Sequence, residues 1–315
     1  MSSQRRFENR WPPKVQMRGE SGAEVPVERL RPGDPLWPAM AFDGLREPVA
    51  GLYAMGRTRL LERTPRRSVA IVGTRDASPY GMRVADELAR AFVRAGITVV
   101  SGLARGIDSA AHRGALGANG DTVAVLGTGV DVPYPVGHRE LHGHVSTAGL
   151  VVSEREPGCR ATQGCFPRRN RIIAALAEVT VVVEAPYKSG AVNTATQALE
   201  LGRVVAAVPG PIDSARSAGS NLLLRDGAQV ITGVSDALGL FGVAGDVTDH
   251  APNLGYEEGR VWEALEGGEA SAESLSARLG MSIRQVLELA SRLEISGLVE
   301  ARSDGVLSRR SVLST

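Results

Sequence analysis

The sequence predicts an α/β fold: an extended Rossmann-like domain with a mostly parallel sheet and helices on both faces, followed by a small C-terminal winged-helix domain. Seven short apolar, β-branched segments alternate with helical patterns, which is typical of βαβ crossovers. The first two segments, at 69–73 and 97–101, each run into a glycine-containing turn and then a helix. This arrangement places backbone N–H groups against phosphates in open α/β sheets.

The predicted elements follow in chain order. Residues 1–35 are rich in Arg, Pro, Glu and Gly without periodicity, which indicates an irregular N-terminal tail. The Rossmann-like domain is predicted at 36–241, with one or two short strands at the sheet edge before residue 61. Its main strands are predicted at 69–73, 97–101, 122–126, 149–153, 179–184, 204–208 and 229–231, and its helices at 80–95, 108–117, 172–177 and 192–201.

A change of pattern separates the C-terminal part. Residues 242–255 have the composition of a linker, and residues 256–315 predict a winged helix. Its helices are predicted at 257–265, 272–279 and 282–296, with Gly280 ending the second and a capping box from Ser282 to Gln285 opening the third. Asp304-Gly305 indicates a hairpin turn. Two roles stay open for this domain: duplex DNA binding through its third helix, or a protein-contact or structural role.

Composition limits the function classes. The chain has 315 residues and a formal net charge of +1, so the total charge gives no signal for a polyanion partner. Cys159 and Cys165 fit neither a disulfide framework nor a zinc site. We expect the loop histidines at 138, 142 and 144 to be solvated, with no metal bound. Without a signal peptide or an apolar run near 18 residues, the expected location is cytoplasmic, with no membrane partner.

The chain lacks the signatures of a dinucleotide enzyme and of a serine hydrolase. The first turn has one glycine where the dinucleotide fingerprint needs G-x-G-x-x-G, so no NAD or other cofactor is predicted. Ser101 and Ser153 lie in no G-x-S-x-G elbow. We expect Asp108 to cap its helix and His112 to pair with a carboxylate or carbonyl. No catalytic residue is therefore assigned, and the protein is predicted not to be an enzyme.

Cationic and aromatic residues follow several predicted strands at the edge where ligands of open α/β sheets bind. Guanidiniums, an aromatic ring and an amide within one turn of chain provide phosphate donors, a stacking surface and a base-edge group. An arginine cluster alone is also typical of a solvated, ion-paired face, but its recurrence at one edge favours a polyanion site. The segments are Gly73-Thr74-Arg75, the turn with Gly102 and Arg105, Phe166-Pro167-Arg168-Arg169-Asn170-Arg171, and Lys188-Ser189-Gly190.

The ordered set of motifs resembles the DNA-processing protein A family (DprA, also called Smf) over about residues 36 to 240. The motifs are Val72 to Arg75, Ser101 to Asp108 with His112, Gly127 to Pro135, Ser153-Glu154, Phe166 to Arg171, Glu184 to Thr194 and Pro209 to Pro211. The resemblance implies a single-stranded DNA binder that protects incoming strands in natural transformation and loads the RecA recombinase onto them. It also implies an extended Rossmann-like fold that forms a homodimer.

The same resemblance implies which residues contact DNA. They are Gly73, Thr74, Arg75, Phe166, Arg169, Asn170 and Arg171. We expect Arg75, Arg169 and Arg171 to hold phosphates, while Phe166 stacks a base or wedges the loop. Arg168 is a substitute for a basic residue found upstream of the phenylalanine in the family, and Lys188 is expected on the rim.

A dimer interface is predicted near the end of the Rossmann-like domain. Three consecutive leucines, 222–224, cannot all face one core at 100° per residue, so at least one points outward. Residues 221–230 match the region through which the resembling family forms its two-fold dimer, which assigns Leu222, Leu224 and Val230 to the interface. Burial of all three leucines is the alternative.

Two other functions use a similar sheet. One is a nucleoside-monophosphate phosphoribohydrolase, whose motif P-G-G-x-G-T-x-x-E would fall on Ser189 to Gln197. This chain has one glycine in the phosphate cradle and an amide in place of the catalytic carboxylate. The other is a nucleotide-sensing Rossmann protein, which would use the turns at Gly73 and Gly102 but would not need clustered arginines.

Overall fold

The computed structural model describes residues 25–243, 254–265, 268–296, 298–302 and 305–309. The chain divides into two compact units, residues 1–246 and 247–315. Most of the predicted linker, 244–253, lies outside the described residues. Within the described part of the chain, no helix is long and apolar enough to cross a membrane.

The first unit is built on a nine-stranded sheet of order β1-β2-β6-β5-β4-β3-β7-β8-β9. All neighbours from β6 to β9 in that order are parallel, whereas β2 is antiparallel to both β1 and β6. The strands are β1 Val27–Leu30, β2 Leu52–Gly56, β3 Ser68–Val72, β4 Thr98–Ser101, β5 Thr122–Val125, β6 Leu150–Ser153, β7 Val179–Val182, β8 Val204–Ala207 and β9 Gln229–Val230.

Helices cover both faces of this sheet. Helices α2, α3 and α8 pack on one face around Phe92 and Ile107, and α5, α6 and α7 pack on the other around Ile172 and Ala195. The bounds are α1 Ala39–Phe42, α2 Pro79–Arg94, α3 Ile107–Gly117, α4 Arg139–Ala148, α5 Cys165–Ala175, α6 Gly190–Glu200, α7 Ala218–Arg225 and α8 Val234–Gly239. The predicted α/β class with helices on both faces is therefore confirmed.

The sequence of crossovers reverses at β3, which has β4 on one side and β7 on the other. After β3 and β4 the chain turns to one face of the sheet, and after β7 it turns to the other. Ligands of open α/β sheets bind in the crevice that forms between these turns. The buried strands read as nearly continuous apolar runs because both faces are covered.

Two local predictions in this unit were wrong. Residues 27–30 lie in the region expected to be an irregular tail, but they form β1, with Leu30 buried in the core. Three of the four residues of this edge strand are exposed, so its sequence carries little apolar signal. Helix α5 begins at Cys165 instead of Ile172, because Pro167 lies within the first turn, where a missing N–H costs nothing.

The second unit confirms the predicted winged helix. Helices α9 Tyr256–Ala264, α10 Ala272–Leu279 and α11 Ile283–Ile295 pack around Leu275 and Val286. Gly280 takes a φ of 66° after α10, and Ser282 with Gln285 forms the predicted capping box of α11. The strands β10 Ala270–Ser271, β11 Val299–Ala301 and β12 Val306–Arg309 form a small antiparallel sheet of order β10-β12-β11.

Candidate nucleic-acid interface

A pocket of about 500 Å³ opens at the carboxyl ends of β3 and β7, in the crevice where the crossovers reverse. Its walls come from the turn after β3, the start of α3, the first turns of α5 and the start of α6. The residues of the sequence prediction that line it are Gly73, Thr74, Arg75, Phe166, Arg169, Asn170, Ser189 and Gly190.

The turn after β3 is fixed by tight packing and backbone hydrogen bonds. A Cβ at Gly73 would lie 2.4 Å from Cγ1 of Ile107, so no larger residue fits there. The Thr74 N–H donates to the carbonyl of Glu184 at 2.7 Å, which ties the turn to the end of β7. Arg75 is exposed at the tip of this rigid turn.

Glu184 also holds the start of α2. Its carboxylate accepts hydrogen bonds from the Ser78 N–H at 2.9 Å and from the Ser78 hydroxyl. The Ser78 oxygen in turn accepts from the N–H of Gly81 and caps the helix. This carboxylate therefore neutralises the helix N-terminus from outside the pocket and positions the turn that carries Arg75.

A stack of three side chains lies at the side of the pocket. The Arg75 guanidinium lies 5.2 Å from the centroid of the Phe166 ring, and the Phe166 and Tyr134 ring centroids are 4.9 Å apart. The cation on the ring face is a favourable arrangement. Phe166 remains partly exposed, so it presents an aromatic edge beside a positive charge.

Arg169 lies beneath this stack and is 6% exposed. One of its terminal nitrogens donates to the carbonyl of Val125. Its guanidinium packs so closely on Gly102 that a Cβ there would lie 1.8 Å from Nη1. Burial lowers the pKa of Arg169 to about 10, with Asp108 acting in the opposite direction. Arg169 therefore remains charged near neutral pH.

Asp108 provides the buried negative charge of the pocket. Its carboxylate accepts from the Gly102 N–H at 3.1 Å, and burial raises its pKa while Arg169 acts against that shift. The expectation that Asp108 caps its helix was wrong, because Gly106 is the N-cap residue and Asp108 bonds back to the preceding turn.

A third guanidinium joins the site from the turn after β4. Arg105 is exposed, and it lines a recess of about 240 Å³ together with Arg75, Gly102, Tyr134, Phe166 and Arg169. We call the pocket and this recess together the candidate interface. Three guanidiniums thus surround one aromatic ring at the carboxyl edge of the sheet, which is an arrangement suited to a phosphate backbone and bases.

Two arginines of the Phe166 to Arg171 segment point elsewhere. The Arg171 side chain is 6% exposed, and its Nη2 donates to both carboxylate oxygens of Glu154, at 2.7 and 2.8 Å. The expectation that Arg171 holds phosphate is therefore corrected, since its charge is buried and already matched. Arg168 is exposed and pairs with Glu47 at 2.5 Å, outside the pocket.

Three further polar residues of the predicted site, Asn170, Ser189 and Lys188, lie at or next to the pocket. The Asn170 amide donates to the Gly190 carbonyl and to Asn193, both at 3.2 Å, so this donor joins α5 to α6 instead of facing a ligand. Ser189 caps α6 by accepting from the Val192 N–H. Lys188 is exposed on the same loop, next to the pocket.

Several side chains that suggested other chemistry have structural partners. Ser101 donates to the Ile71 carbonyl in β3, and Ser153 donates to the Thr128 carbonyl in the segment after β5. His112 pairs with the Thr122 hydroxyl rather than with a carboxylate or carbonyl. His142 is buried, against the expectation of a solvated loop residue, because it lies on α4 and bonds to the Val130 carbonyl. Within the described residues no cluster of metal-binding side chains occurs, and both cysteines are free.

Sequence reasoning missed two members of the site. Tyr134 belongs to the Gly127 to Pro135 motif, and its aromatic side chain before a proline was the available signal. Asp108 was assigned to helix capping because its spacing to His112 placed both on one helix. Its role depends on the contact between α3 and α5, which no local pattern reveals.

Comparisons with known proteins identify relatives for both units. Residues 28–242 match the family model described as DNA recombination-mediator protein A, and residues 248–305 match the DprA winged helix domain. A DNA processing protein DprA of Mycobacterium tuberculosis is 43% identical over 291 residues, covering 87% of this chain and 75% of that protein. That of Bacillus subtilis is 38% identical over 202 residues, covering 64% of this chain and 66% of that protein.

Solved structures also resemble this chain. The X-ray structure of DprA from Streptococcus pneumoniae aligns with a TM-score of 0.63 and 36% identity, covering 68% of this chain and 74% of that one. DprA from Helicobacter pylori, whose structure concerns its single-stranded DNA binding mode, aligns with a TM-score of 0.61 and 31% identity. That alignment covers 68% of this chain and 95% of that one.

Proposed function

The chain belongs to the DNA recombination-mediator protein A family, and from that premise we propose that it binds single-stranded DNA at the candidate interface. The observation that carries this proposal is the set of three guanidiniums, from Arg75, Arg105 and Arg169, around the ring of Phe166. Arg75 and Arg105 hold phosphates, the exposed edge of Phe166 contacts a base, and Arg169 supplies a buried positive charge below them. Lys188 extends the charge along the rim.

The start of α6 has a matching role. Gly73 and Thr74 hold the turn after β3 against Ile107 and Glu184, and Ser189-Gly190 bring the N-terminus of α6 to the opposite wall. A helix N-terminus favours an anionic ligand. A site of this kind contacts the sugar-phosphate backbone and the faces of the bases, which all nucleotides have. Binding therefore tolerates any base sequence.

In the cell, we propose that the protein protects incoming single strands during natural transformation and loads RecA onto them as a homodimer. This finer role rests on family membership. It predicts that the protein slows nuclease digestion of oligo-dT and accelerates RecA assembly on single strands coated by single-strand binding protein. Loss of both effects in an Arg75 variant would tie them to the candidate interface.

We further propose that the site binds without catalysis. Gln197 stands where a phosphoribohydrolase carries its carboxylate, and Asp108 is engaged with the backbone of the Gly102 turn. Incubation with AMP followed by a ribose 5-phosphate assay tests this directly. Sustained release of ribose 5-phosphate, lost on changing Asp108 to Asn, would favour the phosphoribohydrolase alternative.

The DNA proposal is tested by anisotropy with labelled oligo-dT. Three or four phosphate contacts predict that log affinity falls with log salt at a slope of about −2 to −3. Arg75→Glu is expected to weaken binding about tenfold or more, because it replaces a contact with repulsion. Arg59→Glu is the matched control, since Arg59 is also exposed but lies in the segment before β3, at the other sheet edge. Salt-independent affinity, or equal losses in both variants, would overturn the proposal.

A further inference from the structure

A second pocket, which we call the Tyr53 pocket, lies beside the candidate interface. It has a volume of about 230 Å³ and opens past the carboxyl ends of β5 and β6. Arg169 lines both sites. Gly127, in the wall of the Tyr53 pocket, lies directly behind the Phe166 ring, where an added Cβ would be 3.1 Å from a ring carbon. The two sites are therefore neighbours separated by the start of α5.

The Tyr53 pocket repeats the pairing of a guanidinium with an aromatic ring. Tyr53 on β2 stands directly opposite Arg29 on the antiparallel strand β1, and the Arg29 guanidinium lies 5.4 Å from the ring centroid. On its other side Tyr53 is in register with Ser153, the last residue of β6. This register places the ring at the same sheet edge as the Arg75 and Phe166 pair.

Two more arginines complete the lining. Arg155 follows β6 after one residue and is half-buried, and its Nε is buried without a hydrogen-bond partner among the described residues. Arg168 is exposed at the border toward the candidate interface. A buried donor without a partner carries a desolvation cost, which a ligand oxygen would relieve.

The acidic residues near the pocket leave this positive charge largely uncompensated. Glu154 is committed to the buried pair with Arg171, and Glu47 is shared between Arg168 and Arg171. Glu156 is exposed at the border. Arg29 and Arg155 are thus the cations available to an anionic ligand.

We propose that the Tyr53 pocket binds the next nucleotides of the same single strand that occupies the candidate interface. A base stacks on Tyr53, and Arg29 and Arg155 hold the phosphates beside it. Rings spaced along a cationic groove are how proteins follow a single strand without reading its sequence. The inference rests on the proposed function, because it describes the path that the bound strand follows beyond the Phe166 ring.

The test compares short and long oligo-dT in the full-length protein. We expect an oligomer of about 4 nucleotides to be held by the candidate interface alone, and one of about 16 nucleotides to reach both sites. The double variant Arg29→Gln/Arg155→Gln should bind the short oligomer like the unmodified protein and the long one about tenfold more weakly. Its salt slope for the long oligomer should be less steep by about 0.7 for each lost phosphate contact.

Variants of the ring give an independent readout. Tyr53→Phe should retain binding of the long oligomer, because the ring face is kept, whereas Tyr53→Ala should weaken it with little effect on the short one. A direct test is irradiation of bound oligonucleotide carrying 5-iododeoxyuridine, followed by mass spectrometry. A crosslinked peptide containing Tyr53, lost on competition with unlabelled oligo-dT, supports the proposal even if Tyr53→Ala fails to fold.

The outcomes separate this inference from the proposed function. Unchanged affinity of Arg29→Gln/Arg155→Gln for the long oligomer, with Arg75→Glu still defective, overturns the Tyr53 pocket alone. An equal loss for short and long oligomers also overturns it, because these residues would then belong to the first site. If the unmodified protein binds neither oligomer, both proposals fail. The control Arg59→Gln should match the unmodified protein in every arm.

Discussion

Arg169 has an unusual position for a residue proposed to attract DNA, because its guanidinium is buried rather than displayed. It donates to the Val125 carbonyl and packs on Gly102, and Arg75 and Asp108 act on its pKa in opposite directions. A buried charge acts through a lower effective dielectric than an exposed one, so its field at the pocket is screened less by salt. Arg169 therefore contributes a fixed positive potential, whereas Arg75 and Arg105 make the contacts.

The close approach of Gly102 to Arg169 makes a small substitution informative. Gly102→Ala places a Cβ within 1.8 Å of the Arg169 Nη1 position, so the guanidinium must move. We expect about tenfold weaker binding of oligo-dT, measured by anisotropy. Gly239→Ala is the matched control, because no atom lies within 4 Å of the added Cβ. Equal affinities for the two variants would contradict a role for the buried position of Arg169.

Two buried histidines predict loss of stability in mild acid. Burial lowers the pKa of His112 to about 3 and that of His142 to about 4. The unfolded chain takes up these protons near pH 6.5, so the contribution of the two neutral histidines to stability is fully present above that pH. It is lost as the pH falls from 6.5 through 4 and toward 3. Each histidine should reduce the free energy of unfolding by about 2 kcal/mol between pH 7 and pH 5.

The contribution of His142 can be isolated on α4. Chemical denaturation at pH 7 and pH 5 should show that His142→Gln is less sensitive to acid by about 2 kcal/mol, since an amide can still donate to the Val130 carbonyl. His144→Gln is the control, because His144 is exposed on the same helix. An unchanged pH dependence in His142→Gln would mean that this histidine takes up its proton at the same pH in the folded protein and in the unfolded chain.

At the scale of secondary structure, helix α5 divides its charged residues between binding and stability. Arg169 faces the candidate interface, whereas Arg171 reaches Glu154 after β6 and Glu47 in the loop before β2. The contacts of Arg171 with Glu154 and Glu47 connect the segment before β2 with the end of β6. Three arginines within residues 168–171 look equivalent in the sequence, and only the packing of α5 on the sheet separates their roles.

The Arg171 and Glu154 pair should stabilise the fold without contributing to DNA binding. Arg171→Gln leaves a mostly buried carboxylate without its partner, and we expect about 3 kcal/mol less stability in urea denaturation. Arg168→Gln, which removes an exposed pair, should cost less than about 1 kcal/mol. If Arg171→Gln kept its stability and lost affinity for oligo-dT, the original assignment of Arg171 to phosphate would be restored.

Most elements of the first unit could be predicted because their signals are local. Continuous β-branched runs predicted β3 to β9, and each observed strand ends within two residues of its predicted end. The missed element, β1, is exposed on three of its four residues and is held by pairing with β2, a contact distant in sequence. The predicted start of α5, at residue 172, is wrong because a proline breaks most helical positions but fits a first helical turn, where Pro167 lies.

At the scale of the whole molecule, the place of the site and most of its lining residues were predictable, although the separate roles of the arginines were not. A net charge of +1 conceals the cations gathered at the carboxyl edge of the sheet. The general rule that ligands bind where the crossovers reverse selected that edge from the order of strands and turns alone. Whether a given arginine faces the crevice or a carboxylate depends on contacts between elements far apart in the chain, as Arg169 and Arg171 show.

The structure sharpens the proposed two-fold dimer. Leu223 is 8% exposed and belongs to the core, and Leu224 packs partly against that core. Leu222 is half-exposed and, among the described residues, packs in none of the apolar clusters. Val230, 52% exposed, lies on β9, the last strand of the sheet. Apolar residues at the edge of a sheet are usually covered in proteins, and a second copy would cover Leu222 and Val230 at once.

Leu222→Arg should therefore yield a folded monomer, because the substitution places a charge in the proposed interface and leaves the core intact. Light scattering at tens of micromolar measures the mass, and near-unchanged thermal unfolding shows that the fold is retained. DNA binding should weaken for long oligo-dT more than for short, since a dimer links two sites on one strand. Leu223→Arg is the contrasting variant and should unfold, because Leu223 is buried. An unmodified protein that is already monomeric under these conditions would refute the dimer, and a dimeric Leu222→Arg would move the interface elsewhere.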